Sequence, residues 1–579
     1  MILFAIALQA SIGTAFANVA VQSLFSNGMV LQREMPVPVW GTGAANEKVT
    51  VSINGQQATG TTGANGNWTV QLPGMTAGGP YTLTITGANT ITITDVYIGE
   101  VWVCSGQSNM DMRMTCTFAG CYLNNAAAEI AAANYPLIRS CNVPWAPNKT
   151  PQTTVKTSWL VCNPANVPVF SAAAYFFGRE IFKGLDSTVP IGLIHASFGA
   201  TCIQTWIPRA DLVAGGFSAQ VATFEKGGLT GTHDPYVGFN AQINPLIPFA
   251  VRGAIWYQGE SRTWGEDTTY RTLQVLLINS WRKAWGRNLT FIVTQLPNHN
   301  TSNNWPLVRE PQLQATQMLA NTGLVVTIDI GDTGYIHPHN KQDVGLRLGL
   351  AALGIAYKQN VTYSGPIYDK MAIEGNSIRL FFKHTDGGLK LDTSTATGWT
   401  APFEISANGS AYSTATAKID QDTTLLLSSS AVTAPKVARY CWSANPKASL
   451  YNKGAPTALP ASPFRTDAPA ITFAVNNSSK PIDAKVRSGV NLSATGKGIS
   501  GLPVIISFEI PGNSVQNVRL RMYDMRGQLV ATLLNGNVTP GFHEIKFNGF
   551  KASAAGLYIC EMASGPNLST RQTAVLRLK

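Results

Sequence analysis

Charge is scarce in this 579-residue chain: Asp, Glu, Lys and Arg together make up 13% of it, against 45% hydrophobic residues. That balance excludes a disordered protein, and with 53 Gly it describes packed, loop-rich, β-heavy domains. Metal-site patterns are missing too. There is no Cys-x-x-Cys and no His-Glu-x-x-His, and the seven His are scattered, so neither a metal nor an organic cofactor is expected. Beyond the first residues no run approaches the ~20 continuous apolar residues of a membrane span. Eight Cys suit an oxidising compartment but are too few to scaffold a chain of this length. Cys116 and Cys121 lie close together in a loop, and Cys141 and Cys162 are the next pair to consider. A basic surface spread along the chain is also lacking. Of the net charge of +11, the stretch from Ser478 onward holds +7, with 12 Lys and Arg against 5 Asp and Glu. Nucleic acid is therefore not an expected partner. A basic end of this kind meets an acidic polysaccharide or a cell surface, or is simply a solvated face.

The chain opens with MILFAIALQASIGTAFA, an apolar run without a basic n-region that ends in Ala15-Phe16-Ala17. Residues 1–17 read as a signal peptide cleaved before Asn18, with a buried strand as the alternative. The length predicts three or four domains. Residues 18–95 alternate apolar and polar over short runs with Asn-Gly turns, which predicts a β-sandwich with strands near Val37–Trp40, Lys48–Ile53, Asn67–Gln71 and Tyr81–Ile85.

From 96 to 362 strands alternate with helices, the pattern of a parallel sheet covered on both faces. Three predicted strands end in polar, Gly-containing turns. Asp95–Val103 leads to Ser105-Gly-Gln-Ser-Asn-Met110, Val189–Ile194 to His195-Ala-Ser-Phe-Gly199, and Ala250–Tyr257 to Gln258-Gly-Glu-Ser261. Ligands of open α/β sheets gather at such carboxyl ends, so the three turns describe one crevice. Ser108 is a nucleophile if a base reaches it, and the N–H groups at the start of the following helix can hold an oxyanion. Gly199 can turn its own N–H to a ligand because it has no Cβ. The Gly-x-Ser-x-Gly elbow of α/β-hydrolases is absent, since Met110 stands where that motif wants Gly. A His in a loop at the sheet edge suits the role of general base, because its unperturbed pKa lies near neutrality. His195 reads as packed at its strand end and His339 as exposed.

The runs GEVWVCSGQSNM, HASFGAT, WYQGES and IHPHNKQDVGLRL, preceded by FSNGMVLQREMPVPVWG, resemble the SGNH hydrolases and, more closely, the sialate O-acetylesterase family of carbohydrate esterases. The resemblance spans roughly Val21 to Asp467 and implies an SGNH-type three-layer α/β/α catalytic domain, flanked by β-sandwich domains at both ends. It implies a serine esterase that removes O-acetyl groups from a glycan, with an acetylxylan esterase and a non-catalytic carbohydrate-binding protein as alternatives. In it Ser108 is the nucleophile and His337 the base, and the oxyanion hole is formed by Ser108, Gly199 and the Gln258 amide. Gln107, Asn109 and Arg262 border the substrate, although Arg262 departs from the Asn usual after Glu-Ser in the family. The Asp-x-x-His of many SGNH enzymes is missing because Gly334 fills the Asp position, so the acid that orients His337 is Glu260, then Asp332, then Asp329, or there is none and Ser and His act as a dyad. Trp145, Trp206 and Trp264 are sugar-site candidates whose ordinary role would be packing.

Residues 363–470 return to short strands and predict a β-module packed on the catalytic domain, and 471–500 read as a linker. Residues 501–579, with LRMYDMRGQLVATLLNGNVTPGFHEIKFNG, resemble the FlgD-type Ig-like or secretion-sorting tails of bacterial exported enzymes. That resemblance implies contact with polysaccharide, cell surface or secretion machinery, and a secreted, periplasmic or cell-surface bacterial protein.

Overall fold

The computed structural model describes residues 18–116, 120–229, 231–262, 266–301, 304–392, 402–468, 491–495, 504–510, 515–524, 528–539, 541–547, 556–564 and 570–578. The signal peptide expected at 1–17, and Trp264, lie outside them.

One strand joins the first two parts of the fold. β1 (Thr90–Gly106) begins with alternating burial, as a half-exposed strand should, and from Val96 to Gly106 every residue is buried. Its first half pairs antiparallel with Gly78–Thr86 of the N-terminal β-domain. Its second half is the centre of the catalytic sheet, so the domain boundary expected at 95 falls inside a continuous strand. The N-terminal strands alternate as expected. In Lys48–Ile53 and Asn67–Leu72 each second residue is buried, which places Val49, Val51, Ile53, Trp68, Val70 and Leu72 in the core.

The catalytic sheet adds β2 (Tyr135–Asn142), β3 (Trp159–Cys162), β4 (Ile191–Ser197), β5 (Gly253–Tyr257), β6 (Thr290–Thr294) and β7 (Thr322–Val325). Their order is β3-β2-β4-β1-β5-β6-β7, parallel throughout except for β3 at the edge. Side chains leave a strand on alternate faces. Trp102, Cys104, Ile191, Leu193, Ile255 and Tyr257 therefore meet α2 (Ala172–Gly184) and α5 (Lys341–Ile355). Val101, Val103, Ile194, Ala254 and Trp256 face the other way, toward α3 (Glu266–Trp285) and α4 (Pro306–Met318). The result is the three-layer α/β/α arrangement. α2 and α5 touch closely at Gly345, where a Cβ would stand 2.2 Å from that of Phe176.

Cys116 and Cys121 form a disulfide. Cys141 and Cys162 do not pair. The β2–β3 ladder sets Cys141 opposite Trp159 and Cys162 opposite Tyr135, which puts the two thiols at opposite ends of it.

The β-module is built of short antiparallel sheets around Ile378, Leu380, Leu425, Leu427, Ile405 and Tyr440. It is bound to the catalytic domain through Arg309 of α4, which is fully buried. Its guanidinium donates to the carbonyls of Leu296 and Pro297 on one side and of Ser443 and Ala444 on the other. Residues 474–579 form a second compact unit with two antiparallel sheets. Its core contains Ile506, Phe508, Val518, Leu520, Met522, Cys560 and Met562. Asn491–Thr495, inside the expected linker, is a strand of this unit paired with Val504–Ile510. No helix among the described residues is long and apolar enough to cross a membrane.

Glu100 lies midway along β1 and is wholly buried. It accepts from Arg33 Nε (2.6 Å), from Arg252 Nε and Nη2 (both 2.8 Å) and from Gln32 Nε2 (3.0 Å). Burial pushes its pKa up, but these donors outweigh burial and leave it below the ordinary 4.5. Removing one partner of a buried ion pair strands the other charges, so Glu100→Gln is expected to cost about 3 kcal/mol at neutral pH in a urea titration. The wild-type advantage is full above pH 4.5 and fades as the pH falls through the lowered value of the folded protein, so the two curves converge in acid. Equal stability at neutral pH would show that this carboxylate does not hold the junction.

Candidate active site

The register of the sheet brings three turns to one level. Ser197 and Tyr257 both stand opposite Gly106, so β4, β1 and β5 end together. Gly106 has φ +144°, and a Cβ there would lie 2.1 Å from the Tyr257 carbonyl oxygen, so only glycine lets the strands approach this closely. The turns are then stitched across. Gln107 N donates to Tyr257 O (3.0 Å), and Phe198 N donates to Gly106 O (3.3 Å). Ser108 is the first residue of α1 (Ser108–Asp111), half-buried, while Gln107, Asn109 and Met110 around it are buried. Its N–H has no intrahelical acceptor at that position. A Cβ built on Gly199 would stand 3.6 Å from Ser108 Cβ, so the glycine lies against the serine with no side chain between them.

Two residues expected at the substrate are instead internal. The Gln258 amide donates to Gln107 Oε1 (3.0 Å), Ser261 O (3.0 Å) and Thr201 O (3.2 Å), so both of its hydrogens are engaged by protein acceptors. Its oxygen accepts from Tyr270 Oη (2.8 Å). Gln258 therefore braces the turns and offers no N–H to an oxyanion. Gln107, likewise buried, accepts from Gln258 and from Ser261 N (3.2 Å). Arg262, which follows Ser261, is half-buried.

Asn109 is also internal, and its hydrogen bonds organise the site. Its Nδ2 donates to Glu260 Oε1 (2.5 Å) and to Ile336 O (3.1 Å), and its Oδ1 accepts from Lys341 Nζ (2.8 Å). Lys341 Nζ also donates to Pro338 O (2.7 Å). The carbonyls on either side of His337 are thus held by one carboxamide and one ammonium, and that carboxamide also holds Glu260. Lys341 is fully buried, and burial pushes its pKa down to about 7 against the opposing charge of Glu260. Burial pushes Glu260 up, while Asn109, backbone N–H groups and Lys341 restrain it. Its Oε2 is buried without a hydrogen-bond partner among the described residues.

The other acids are engaged elsewhere. Asp332 Oδ2 pairs with His339 Nδ1 (2.9 Å), and its Oδ1 accepts from Gly334 N. Asp329 forms a two-pronged pair with Arg347 (2.6 and 2.7 Å). Both of these carboxylates hold other partners, whereas Glu260 is tied by Asn109 to the His337 segment. His337 itself is pushed down to about 4 by burial, then by Lys341 and His299. His339, expected to be exposed, is instead largely buried against Tyr122. His195 is buried and bonded to Ser197 Oγ (2.6 Å), with Asp111 of α1 3.7 Å away. It therefore braces the end of β4. Trp206 is core, donating to Thr201 Oγ1, and Trp145 stacks on Phe198.

Sequence reasoning missed Lys341. The available signal was a cation in the first turn of a helix, where the exposed N–H groups disfavour positive charge. A Lys there needs a local reason, and the reason is Glu260 and the two carbonyl-type acceptors. A hydroxyl on a turn, an imidazole held neutral and a buried carboxylate together are what covalent acyl transfer requires.

Comparison with known proteins agrees with this chemistry. A family profile described as carbohydrate esterase, sialic acid-specific acetylesterase, matches residues 98–353, from within β1 to within α5. The sialate O-acetylesterase of Homo sapiens is 31% identical over 409 residues, covering 63% of this chain and 75% of that protein. The Mus musculus sialate O-acetylesterase is 30% identical over 441 residues, covering 64% and 79%. The crystal structure of a carbohydrate acetylesterase from Xanthomonas citri superposes with a TM-score of 0.70 at 35% identity, covering 78% of this chain and 100% of that one.

The electrostatics give a direct test. In an NMR titration of the imidazole nitrogens, His337 is expected to protonate near pH 4. Lys341→Met removes a neighbouring cation and is expected to move that midpoint upward, whereas Asp332→Asn should leave it in place. A midpoint for His337 that follows Asp332 and ignores Lys341 would contradict the arrangement.

Proposed function

The chain belongs to the sialic acid-specific acetylesterase family of carbohydrate esterases, and on that premise we propose that Ser108, His337 and Glu260 are its catalytic triad. The activity itself, removal of O-acetyl groups from carbohydrate, is that of the family, and the non-catalytic alternative is set aside because the matched relatives are acetylesterases. The observation that carries the choice of acid is the Asn109 bridge, which binds Glu260 and the backbone beside His337 with one carboxamide, while Asp332 and Asp329 hold other partners.

In this mechanism the Ser108 hydroxyl attacks the acetyl carbonyl carbon as His337 takes its proton. The carbonyl oxygen becomes an oxyanion held by the backbone N–H groups of Ser108 and Gly199, with Gln258 fixing the turns rather than donating. Collapse breaks the ester C–O bond, and the imidazolium returns its proton to the departing sugar hydroxyl. Water, deprotonated by the same imidazole, then releases acetate from the acetyl-serine. Glu260 stabilises the imidazolium in both halves. The low pKa of His337 keeps the base neutral well into acid.

For substrate, the names of the relatives support O-acetylated sialic acid. The second β-unit at 474–579 favours a polymer such as acetylated xylan as the second reading. The Cys116–Cys121 disulfide and the apolar opening run support export to an oxidising compartment.

Acetate release from 9-O-acetylated sialic acid and from acetylated xylan tests both points. Ser108→Ala is expected to lose all measurable release while keeping the fold. Glu260→Gln is expected to lower kcat by ~100-fold or more, and Asp332→Asn by no more than ~3-fold. Reversal of that order would transfer the acid role to Asp332, and small losses in both would leave a Ser-His dyad. Serine-dependent release from xylan alone would overturn the sialate assignment.

A further inference from the structure

The most exposed large apolar side chain among the described residues is Tyr122, at 59%. It directly follows the Cys116–Cys121 disulfide, and its ring is held in place. It stacks on the His339 imidazole with centroids 3.6 Å apart and planes 11° apart. His339 is fixed by Asp332 and lies nearly parallel to Tyr335 (5.3 Å, 11°). Tyr335 in turn meets His337 edge to face (5.2 Å, 67°). Gly120, next to Cys121, also lies near this series, since a Cβ there would stand 3.8 Å from the Tyr335 ring. Asn124 N donates to His339 O (3.1 Å), so the backbone is pinned as well. A continuous series of rings therefore runs from the proposed base to an aromatic face open to solvent.

A single exposed aromatic usually needs no explanation. This one differs because a disulfide, an ion pair and a backbone hydrogen bond restrict a ring that buries only one of its faces, and such pre-ordering lowers the cost of binding a ligand on the other. In a carbohydrate esterase the matching ligand surface is the C–H face of a pyranose. We propose that Tyr122 is a stacking platform for a sugar ring neighbouring the acetylated one, so that the enzyme binds a glycosidically linked substrate better than a free acetylated sugar. This inference rests on the reading of Ser108 and His337 as the reacting pair.

The test compares wild type, Tyr122→Ala and Tyr122→Phe on 4-nitrophenyl acetate, which carries no sugar, and on 9-O-acetylated sialyllactose and acetylated xylohexaose. Tyr122→Ala is expected to raise KM on a cleaved oligosaccharide by about fivefold relative to its effect on the small ester, the size of a lost aromatic stacking contact, and Tyr122→Phe is expected to restore it. A second measurement does not depend on chemistry. Calorimetric binding of sialyllactose and xylohexaose to Ser108→Ala should weaken by a similar factor when Tyr122→Ala is added. Equal losses on the small ester and the oligosaccharides would mean that Tyr122 acts only through His339, and unchanged oligosaccharide KM and affinity would also overturn the platform. Full activity in Ser108→Ala alone would defeat the triad and leave the KM and binding comparison to decide Tyr122 separately.

Discussion

The carboxamide of Asn109 is the contact on which the site depends. Its donor side reaches Glu260 from the end of β5 and Ile336 from the histidine loop, and its acceptor side takes the ammonium of Lys341 at the start of α5. Asn109 is also the neighbour of Ser108 on the nucleophile turn. One planar group with two donors and one acceptor thereby fixes the relative positions of the hydroxyl, the imidazole segment and the carboxylate, which arrive from three distant parts of the chain. An aspartate or a leucine there would lose the donors and release Glu260. Pre-ordering of this kind lets a catalytic group act without reorganising during the reaction.

The network is charged as well as ordered. Burying Lys341 and Glu260 together is tolerable because each opposes the desolvation of the other, and because Asn109 and Pro338 O supply hydrogen bonds that neither would otherwise have. The same ammonium lies close enough to His337 to depress its pKa. Lys341 therefore couples Glu260 and His337 electrostatically.

This precision needs a rigid frame, and the frame is one strand. β1 runs unbroken from the N-terminal β-domain into the centre of the catalytic sheet, and Glu100 at its midpoint gathers Arg33, Gln32 and Arg252 from both sides of the junction. Arg309 does the corresponding work at the other end of the catalytic domain, satisfying carbonyls of the β-module and of the segment after β6. The turn that bears Ser108 is thus carried on an element anchored in two domains, and the residues that follow inherit its position.

The local chemistry of the chain was legible from residues alone. Alternation of period 2 located the N-terminal strands, and continuous apolar runs ending in Gly-containing turns located β1, β4 and β5. The ends of those turns marked Ser108 and Gly199 as candidates, and the resemblance of IHPHNKQDVGLRL to the family's histidine block marked His337. The pairing of long-range polar partners was not legible, because hydrogen bonds between residues 151 to 232 positions apart leave no periodicity in a sequence. So Gln258 and Gln107 look like substrate contacts until the fold turns their amides toward each other, and Asp332 looks available until His339 takes it. By itself the sequence determined which residue types arrive at the sheet edge and in what order. Only the tertiary structure decided which of those polar groups face each other and which face the cleft, since a buried donor must take whichever acceptor the packing brings within reach.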